Sequence, residues 1–154
     1  MVLDHNPVSD IAPLKTLVNL RFLDLSYTKV HDAGVLADLK NLQELNLVGA
    51  PIEDLAFLQN MPQLESLSLG ERTYVNLDAL GYLQKLKRLQ ITDAGLEDLG
   101  FARPLRELES LSISGNPIKD YSVLSELPRL KEVQQNRVLL PGQEMFVPQA
   151  RPAD

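Results

Sequence analysis

The chain has 154 residues, of which 44% are apolar, 23% are charged and 31 are leucine, a composition typical of a soluble globular domain with an aliphatic core. Its net charge of −6 disfavours DNA or RNA binding, because a nucleic-acid binder uses Lys and Arg to displace counterions from phosphates. The absence of cysteine excludes disulfides, cysteine catalysis and thiolate metal sites.

No stretch of the sequence approaches the ~20 apolar residues that a transmembrane helix needs. The first 20 residues carry Asp4 and Asp10, where a secretory signal would have basic residues followed by an apolar block. We therefore expect no membrane insertion, and a cytoplasmic location is favoured for the chain as written. A fragment of a secreted or surface protein is the alternative.

The leucines recur with a period of 22 residues and without insertion. Position 1 of this period is occupied by Leu20, Leu42, Leu64, Leu86, Leu108 and Leu130. Positions 4, 6, 11, 17 and 20 are apolar in nearly every copy. Residues 1–19 form a partial repeat, full repeats begin at residues 20, 42, 64, 86 and 108, and a last partial repeat begins at residue 130. A fixed period of this length indicates a solenoid of stacked units.

Each repeat predicts one strand and one short helical turn. The Leu-x-Leu stretch at positions 4 to 6 alternates with period two, as in a strand with one buried face. Positions 13 to 20, for example residues 54–61, have an apolar spacing of about three, which suits a helical turn. Position 13 is Asp10, Asp32, Asp54, Asn76, Asp98 and Asp120. These residue types predict helix caps, because their side-chain oxygens accept free backbone N–H groups.

The segment from Leu108 to Ile118 has the pattern L-x-x-L-x-L-x-x-N-x-I. With the period, it resembles the 22-residue class of leucine-rich repeats found in bacterial internalins and in a eukaryotic phosphatase-1 regulator, over residues 1 to about 134. The resemblance implies an α/β fold, a right-handed leucine-rich-repeat solenoid with a concave parallel β-sheet and short helices on the convex side. Only Asn6 and Asn116 keep the family's Asn at position 9, so loop hydrogen bonding should differ among the repeats.

The two ends of the predicted solenoid need cover. The arc spans residues 1–137, and residues 138–154 are predicted to form a C-terminal hairpin cap, built around a Pro-Gly turn, and a Pro-rich tail. At the N-terminal end, the apolar residues of the first partial repeat have no preceding repeat to pack against. They are Leu3, Val8, Ile11, Leu14 and Leu17. We expect this N-terminal edge to be covered by further residues or by a second copy in a homo-oligomer, unless Met1 and Val2 fold over it.

The informative surface is the concave sheet face, where positions 3, 5 and 7 alternate with buried leucines and are predicted to project to solvent. Candidate partner-binding residues on or beside it are Phe22, Asp24, Tyr27, Glu44, Asn46, Val48, Ser66, Ser68, Arg88, Gln90, Ser110, Ser112 and Glu132. The serines leave a shallow floor on which a partner element could lie, or they simply solvate an exposed sheet.

Two of these candidates stand out. Phe22 is a large apolar residue at a position predicted to be exposed, which is typical of an anchor for protein contacts, although a chance exposed aromatic is the alternative. Arg88 stands between serine-lined strands, where little competes with a partner carboxylate for it. The alternative for Arg88 is a cross-strand pair with an acidic neighbour such as Glu109.

No residue pattern in the sequence points to catalysis or to a metal. His5 and His31 occupy different repeat positions and belong to no catalytic motif. Phosphate-binding, dinucleotide-binding and zinc-protease motifs are absent from the sequence. The acidic row at position 13 suits helix capping better than a hard cation, which needs oxygens converging on one point. We expect no enzyme activity, cofactor or metal.

The sequence therefore predicts a non-enzymatic protein-binding module that docks a partner protein on its concave face. Seven strands at ~4.8 Å would span roughly 30 Å, enough for an interface of ~800 Å² per partner. One alternative is an acidic inhibitor, such as an immunity protein for a basic toxin or enzyme, because net negative charge speeds association with a cationic partner. A further alternative is a repeat fragment of a larger surface or effector protein.

Overall fold

The computed structural model describes residues 1–135, which form six short parallel strands in one sheet. The strands are β1 Phe22–Asp24, β2 Glu44–Asn46, β3 Ser66–Gly70, β4 Arg88–Thr92, β5 Ser110–Ser112 and β6 Glu132–Gln134, and their order in the sheet follows the chain. Paired residues in neighbouring strands are 22 positions apart, as Leu23 with Leu45 and Leu45 with Leu67. The insertion-free period thus sets the register of the sheet.

The predicted seventh strand is reduced to a single bridge near the start of the chain. Val2 forms an isolated parallel bridge with Asp24. The amides of Leu3 and His5 donate hydrogen bonds to the carbonyls of Asp24 (2.9 Å) and Ser26 (3.0 Å). Residues 1–5 therefore cover the outer edge of β1 without forming a full strand.

Short 3₁₀ helices form the opposite layer of the solenoid. They span Ala12–Thr16, Gly34–Asp38, Ala56–Asn60, Leu77–Tyr82, Gly100–Ala102 and Ser122–Glu126. In five of the six repeats the position-13 aspartate accepts a hydrogen bond of 2.8 Å from the amide of the first helical residue. The predicted capping is confirmed for these five, with the aspartate one residue before the N-cap position. Asn76 differs, because its backbone is left-handed with φ of 59°.

The apolar ladders pack into one continuous core between the sheet and the helices. At the N-terminal edge Ile11 and Leu14 are buried, and Leu3 and Val8 are half-buried against the core. Leu17 is the ladder residue of this edge that stays exposed.

The predicted hairpin cap and Pro-rich tail at residues 138–154 lie outside the described residues, as do the last two residues of the predicted arc. Among the 3₁₀ helices of residues 1–135, none has the length and apolar character needed to cross a membrane.

Candidate protein-binding surface

The side chains of the concave face form two rows that cross the strands in register. The position-3 row is Phe22, Glu44, Ser66, Arg88, Ser110 and Glu132, and the position-5 row is Asp24, Asn46, Ser68, Gln90, Ser112 and Gln134. Phe22, Glu44, Arg88 and Glu132 are exposed, whereas the serines of both rows are half-buried. The structure therefore brings eleven of the thirteen predicted site residues onto one surface, with low serine rungs between taller side chains.

Position 7 departs from the prediction that it projects to solvent. Ser26 is only 5% exposed, and Gly70 is also buried. The strand β1 already ends at Asp24, and the Ser26 hydroxyl and amide both donate to Asp24 Oδ1, at 2.6 and 2.9 Å. Val48 is half-buried, and its amide donates to Asn46 Oδ1 at 3.1 Å. Position 7 is thus buried or half-buried in every repeat of the described range, in the turn after β1, β2 and β5 and as the last strand residue of β3 and β4.

Tyr27 lies beside the concave face, in a row of left-handed residues where the chain leaves the strands. This position-8 row consists of His5, Tyr27, Gly49, Glu71, Asp93 and Gly115, all with φ between 49° and 74°. The Tyr27 ring stacks on His5 with centroids 4.7 Å apart, and its hydroxyl donates to Glu71 Oε1 at 2.5 Å. That hydrogen bond raises the pKa of Tyr27 above its ordinary value.

Gly49 lies between Tyr27 and Glu71 in this row, and because it has no side chain the Tyr27 ring can lie across it. A Cβ on Gly49 would lie 2.5 Å from Tyr27 Cδ1, so a side chain there would displace the ring. Tyr27 thereby ties together four successive rungs, and its hydroxyl is already engaged. The sequence signal for this row is the Gly and Asp at position 8 of three repeats, because both residue types favour left-handed turns.

Arg88 pairs with an acidic residue two strands away. Its Nη2 lies 3.7 Å from Glu44 Oε1, so the side chain reaches across the short Ser66 that separates them in the row. The predicted alternative, a cross-strand pair with an acidic neighbour, is therefore observed with Glu44 in place of Glu109, whose Oε2 accepts a 2.9 Å hydrogen bond from Lys131. Both side chains of the pair are at least half exposed, 58% and 50%, so the pair contributes at most ~1 kcal/mol and a partner can replace it.

Polar contacts hold the two ends of the face in place. Asn46 Nδ2 donates to Asp24 Oδ2 at 3.2 Å, and Ser110 Oγ lies 3.5 Å from Glu132 Oε2. These contacts run across the strands, from one repeat to the next. The carboxylates at the ends of the face are therefore oriented before any partner arrives.

Ion-pair ladders border the face where the strands begin. At position 2, Lys87 donates to Glu65 at 2.8 Å and Lys131 donates to Glu109. These hydrogen bonds lower the pKa values of the Glu65 and Glu109 carboxyls. The ladders join adjacent repeats and are satisfied within the chain, so they frame the face.

Among residues 1–135, His, Asp and Glu side chains do not converge on a metal site. No cluster of three or more His, Asp or Glu side chains that could hold a metal occurs in this part of the chain. His5 contacts Asp4 and Tyr27, and His31 contacts the carbonyl of Lys29. Both histidines are exposed, as the sequence predicted.

Comparisons with known proteins agree with this geometry. The family model for leucine-rich repeats, in two copies, matches residues 18–60, whereas comparison with curated proteins finds no match. Internalin C2 from Listeria monocytogenes is 30% identical with a TM-score of 0.82, and the alignment covers 88% of this chain and 60% of that one.

Two further structures share the fold. A leucine-rich-repeat protein from Leptospira interrogans is 25% identical with a TM-score of 0.72, covering 86% of this chain and 36% of that one. An internalin F from Listeria monocytogenes is 21% identical with a TM-score of 0.56, covering 86% and 52%. The chain thus spans 60% or less of the length of these structures. The repeat period, the parallel sheet and the family match show that this chain has the leucine-rich-repeat fold.

Proposed function

We propose that the chain is a non-enzymatic protein-binding module that docks a partner protein on its concave face. Leucine-rich-repeat domains commonly mediate protein–protein interactions. The observation that carries the proposal is the position-3 row, in which an aromatic residue, two acidic residues, two serines and an arginine follow one another in register. The buried ladders beneath are uniform, so the variation lies on the side that faces solvent.

Phe22 and Arg88 are the proposed anchors. Phe22 is 38% exposed at one end of the row, and aromatic and Arg side chains supply most of the binding energy at protein interfaces. Half-buried Ser110 lies beside Arg88 on the side away from Glu44, so a partner side chain can approach Arg88 from that side. A partner carboxylate there would compete with Glu44.

The sheet alone is too small for a standard interface. Six strands span about 24 Å, and three to five residues per strand add a width of ~10–16 Å, giving roughly 240–400 Å². A standard interface covers ~800 Å² on each partner. The proposed footprint therefore extends beyond the strands to the bordering position-8 row, which includes the exposed ring of Tyr27. This revises the estimate from the sequence, which assumed that the sheet would suffice.

Matched substitutions on the two sides of the solenoid test the proposal. Phe22→Ala and Arg88→Glu are expected to weaken binding to the partner captured by the unmodified chain, with little change in melting temperature. The controls are Tyr82→Ala, an aromatic on the helical side that is 61% exposed, and Arg103→Glu, an exposed arginine paired with Glu126 on that side. Loss of binding in the controls but not in the concave-face variants would refute the surface assignment.

The second candidate function is an acidic inhibitor of a basic toxin or enzyme. The chain carries a net charge of −6, and eight of its Lys or Arg side chains are already paired with carboxylates within residues 1–135. The acidic excess is therefore presented to solvent. A charge-steered inhibitor loses association rate steeply as salt rises, so stopped-flow binding over a salt series separates this candidate from a neutral docking module.

Two further arrangements are compatible with the coverage of known structures. In the first, these repeats act within a larger surface or effector protein; the chain spans 60% of the internalin C2 chain. A second copy packed on the N-terminal edge would cover Val2, Leu17 and Val18, which are exposed apolar residues of the first rungs. Light scattering over a concentration series tests this contact, and a strict monomer whose solubility is unchanged by Leu17→Lys contradicts it.

A further inference from the structure

The repeat that begins at Leu64 is joined differently to its two neighbours. The Val75 amide donates to the Glu53 carbonyl at 2.9 Å, and the Leu55 amide donates back to the Val75 carbonyl at 3.2 Å, forming an isolated parallel bridge between Asp54 and Val75. Asn76, in the left-handed conformation, donates from Nδ2 to Asp54 Oδ1 at 2.8 Å. This loop is therefore fastened to the preceding repeat.

No equivalent bond fastens the same loop to the following repeat. An equivalent hydrogen bond does join the repeats that begin at Leu86 and Leu108, where the Lys119 amide donates to the Glu97 carbonyl at 2.9 Å. Between Val75 and Glu97, the described chain shows no backbone hydrogen bond. A cleft of about 280 Å³ opens at this junction, on the loop side of the solenoid and away from the concave face.

The cleft has an apolar floor and an acidic rim. Its floor includes the buried side chains of Tyr74, Leu96 and Phe101. The Tyr74 hydroxyl donates to the Gly70 carbonyl at 3.2 Å, so its polar atom is satisfied inside the chain and its ring remains to line the cleft. The exposed rim residues are Asp78, Glu97 and Asp98.

The charges of the rim are only partly compensated. Glu97 is paired with Lys119, but neither Asp78 nor Asp98 forms an ion pair with any other residue of the described range. Gly95 lies at the mouth with φ of 69°, and a Cβ there would be 3.4 Å from Thr73 Cγ2. The glycine thus keeps the entrance wide.

We propose that this cleft binds an arginine side chain presented by a partner protein. A volume of 280 Å³ is below the ~300–1,000 Å³ of typical cofactor or substrate pockets, and it suits one amino-acid side chain. An arginine places its apolar stem against the floor and its charged end at the rim. Its weakly hydrated planar guanidinium forms paired hydrogen bonds with carboxylates such as those of the rim, which a lysine ammonium does less well. The cleft is independent of the concave face, so this inference does not depend on the proposed docking surface.

The test is a titration of the ¹⁵N-labelled chain with N-acetyl-arginine amide, followed by NMR. Saturable shifts are expected at the amides of Gly95, Leu96 and Phe101. N-acetyl-citrulline amide, which has the same shape without the charge, and N-acetyl-lysine amide are expected to bind about fivefold more weakly or worse. Free L-arginine should also bind more weakly, because its charged α-ammonium and α-carboxylate lose more hydration at the cleft than the neutral ends of the blocked probe.

Variants decide whether the rim is responsible. Asp78→Asn and Asp98→Asn are each expected to reduce the affinity for the arginine probe about fivefold or more. The matched control is Asp32→Asn, because Asp32 holds the same repeat position as Asp98 and accepts the same helix-capping hydrogen bond from a glycine amide but does not line the cleft. Melting temperatures of the two capping variants should therefore agree while their affinities differ.

Several results would overturn the proposal. Equal binding of the citrulline or the lysine probe would remove the requirement for a guanidinium. The absence of saturable shifts at the cleft, or unchanged affinity in both Asp78→Asn and Asp98→Asn, would show that arginine meets only the general acidic surface. Tighter binding of free L-arginine than of the amide would assign the site to a free amino acid, and a partner side chain would then be wrong.

Discussion

Asn6 and Asn116 occupy the same position of the repeat and begin similar sequences, yet we expect their substitution by alanine to have unequal effects. Asn116 Oδ1 accepts hydrogen bonds from the amides of Ala94 (2.9 Å) and Leu96 (3.1 Å). Its Nδ2 donates to the carbonyl of Ile91 at 2.7 Å. One side chain thus satisfies three backbone groups of the preceding repeat.

The magnitude follows from these contacts. Asn116 is half-buried, and each intramolecular hydrogen bond contributes about 1 kcal/mol net, with a larger penalty where a donor is left unsatisfied away from water. Asn116→Ala should therefore lower the free energy of unfolding by about 2–4 kcal/mol. Asn6 is exposed and donates only to the nearby carbonyls of Leu3 (3.2 Å) and Asp4 (3.0 Å) within the described residues. Asn6→Ala should lower the free energy of unfolding by less than about 1 kcal/mol.

Urea unfolding at 25 °C, followed by circular dichroism, measures both variants against the unmodified chain. The same substitution at the same repeat position removes any difference in helix or turn propensity between the two sites. A loss below about 1 kcal/mol for Asn116→Ala, or equal losses for the two variants, would refute the reasoning that hydrogen bonds to the preceding repeat make the difference.

Two further predictions follow from the strand edges. Gly49→Ala should destabilise the fold more than Gly95→Ala. Both glycines have φ of 69°, so both variants carry a left-handed penalty of ~1–2 kcal/mol, but only Gly49 lies against the Tyr27 ring. Thermal denaturation compares the two variants, and equal losses of stability would contradict the contact with Tyr27. The Glu109 pKa is lowered from 4.5 by Lys131, so this pair stabilises the fold above pH 4.5 and loses its effect as the pH falls through the lowered value. In urea unfolding over a series of pH values, the free energy of unfolding of Lys131→Met should fall less steeply on acidification than that of the unmodified chain. An equally steep fall would show that the Glu109–Lys131 pair does not contribute to the pH dependence.

The insertion-free period of the sequence was sufficient to predict the backbone architecture. Because every repeat has 22 residues, equivalent residues stack, and the observed pairing of Leu23 with Leu45 and of Leu45 with Leu67 is what the spacing predicts. The position-13 aspartates were predicted from the same period as caps, because their partner is a local amide two residues later in the chain. Local and strictly periodic contacts are encoded in the spacing itself.

Side-chain contacts between rungs were decided by the tertiary structure. Arg88 was predicted either to be open to a partner carboxylate or to pair across the strands with an acidic neighbour such as Glu109. It pairs over a serine with Glu44, while Lys131 binds Glu109. Such choices depend on side-chain length and on competition among all neighbours, which a linear pattern does not contain.

The unequal surroundings of equivalent residues were likewise decided by stacking. Asn116 has a preceding repeat whose backbone it satisfies, whereas Asn6 bonds only within its own loop among the described residues. The loop of Val75 binds the repeat before it and leaves a cleft toward the repeat after it. The sequence by itself determined where each rung lies, because one period repeats without insertion. Only the tertiary structure decided which loops and side chains join those rungs, because these contacts depend on the particular neighbours that stacking brings together.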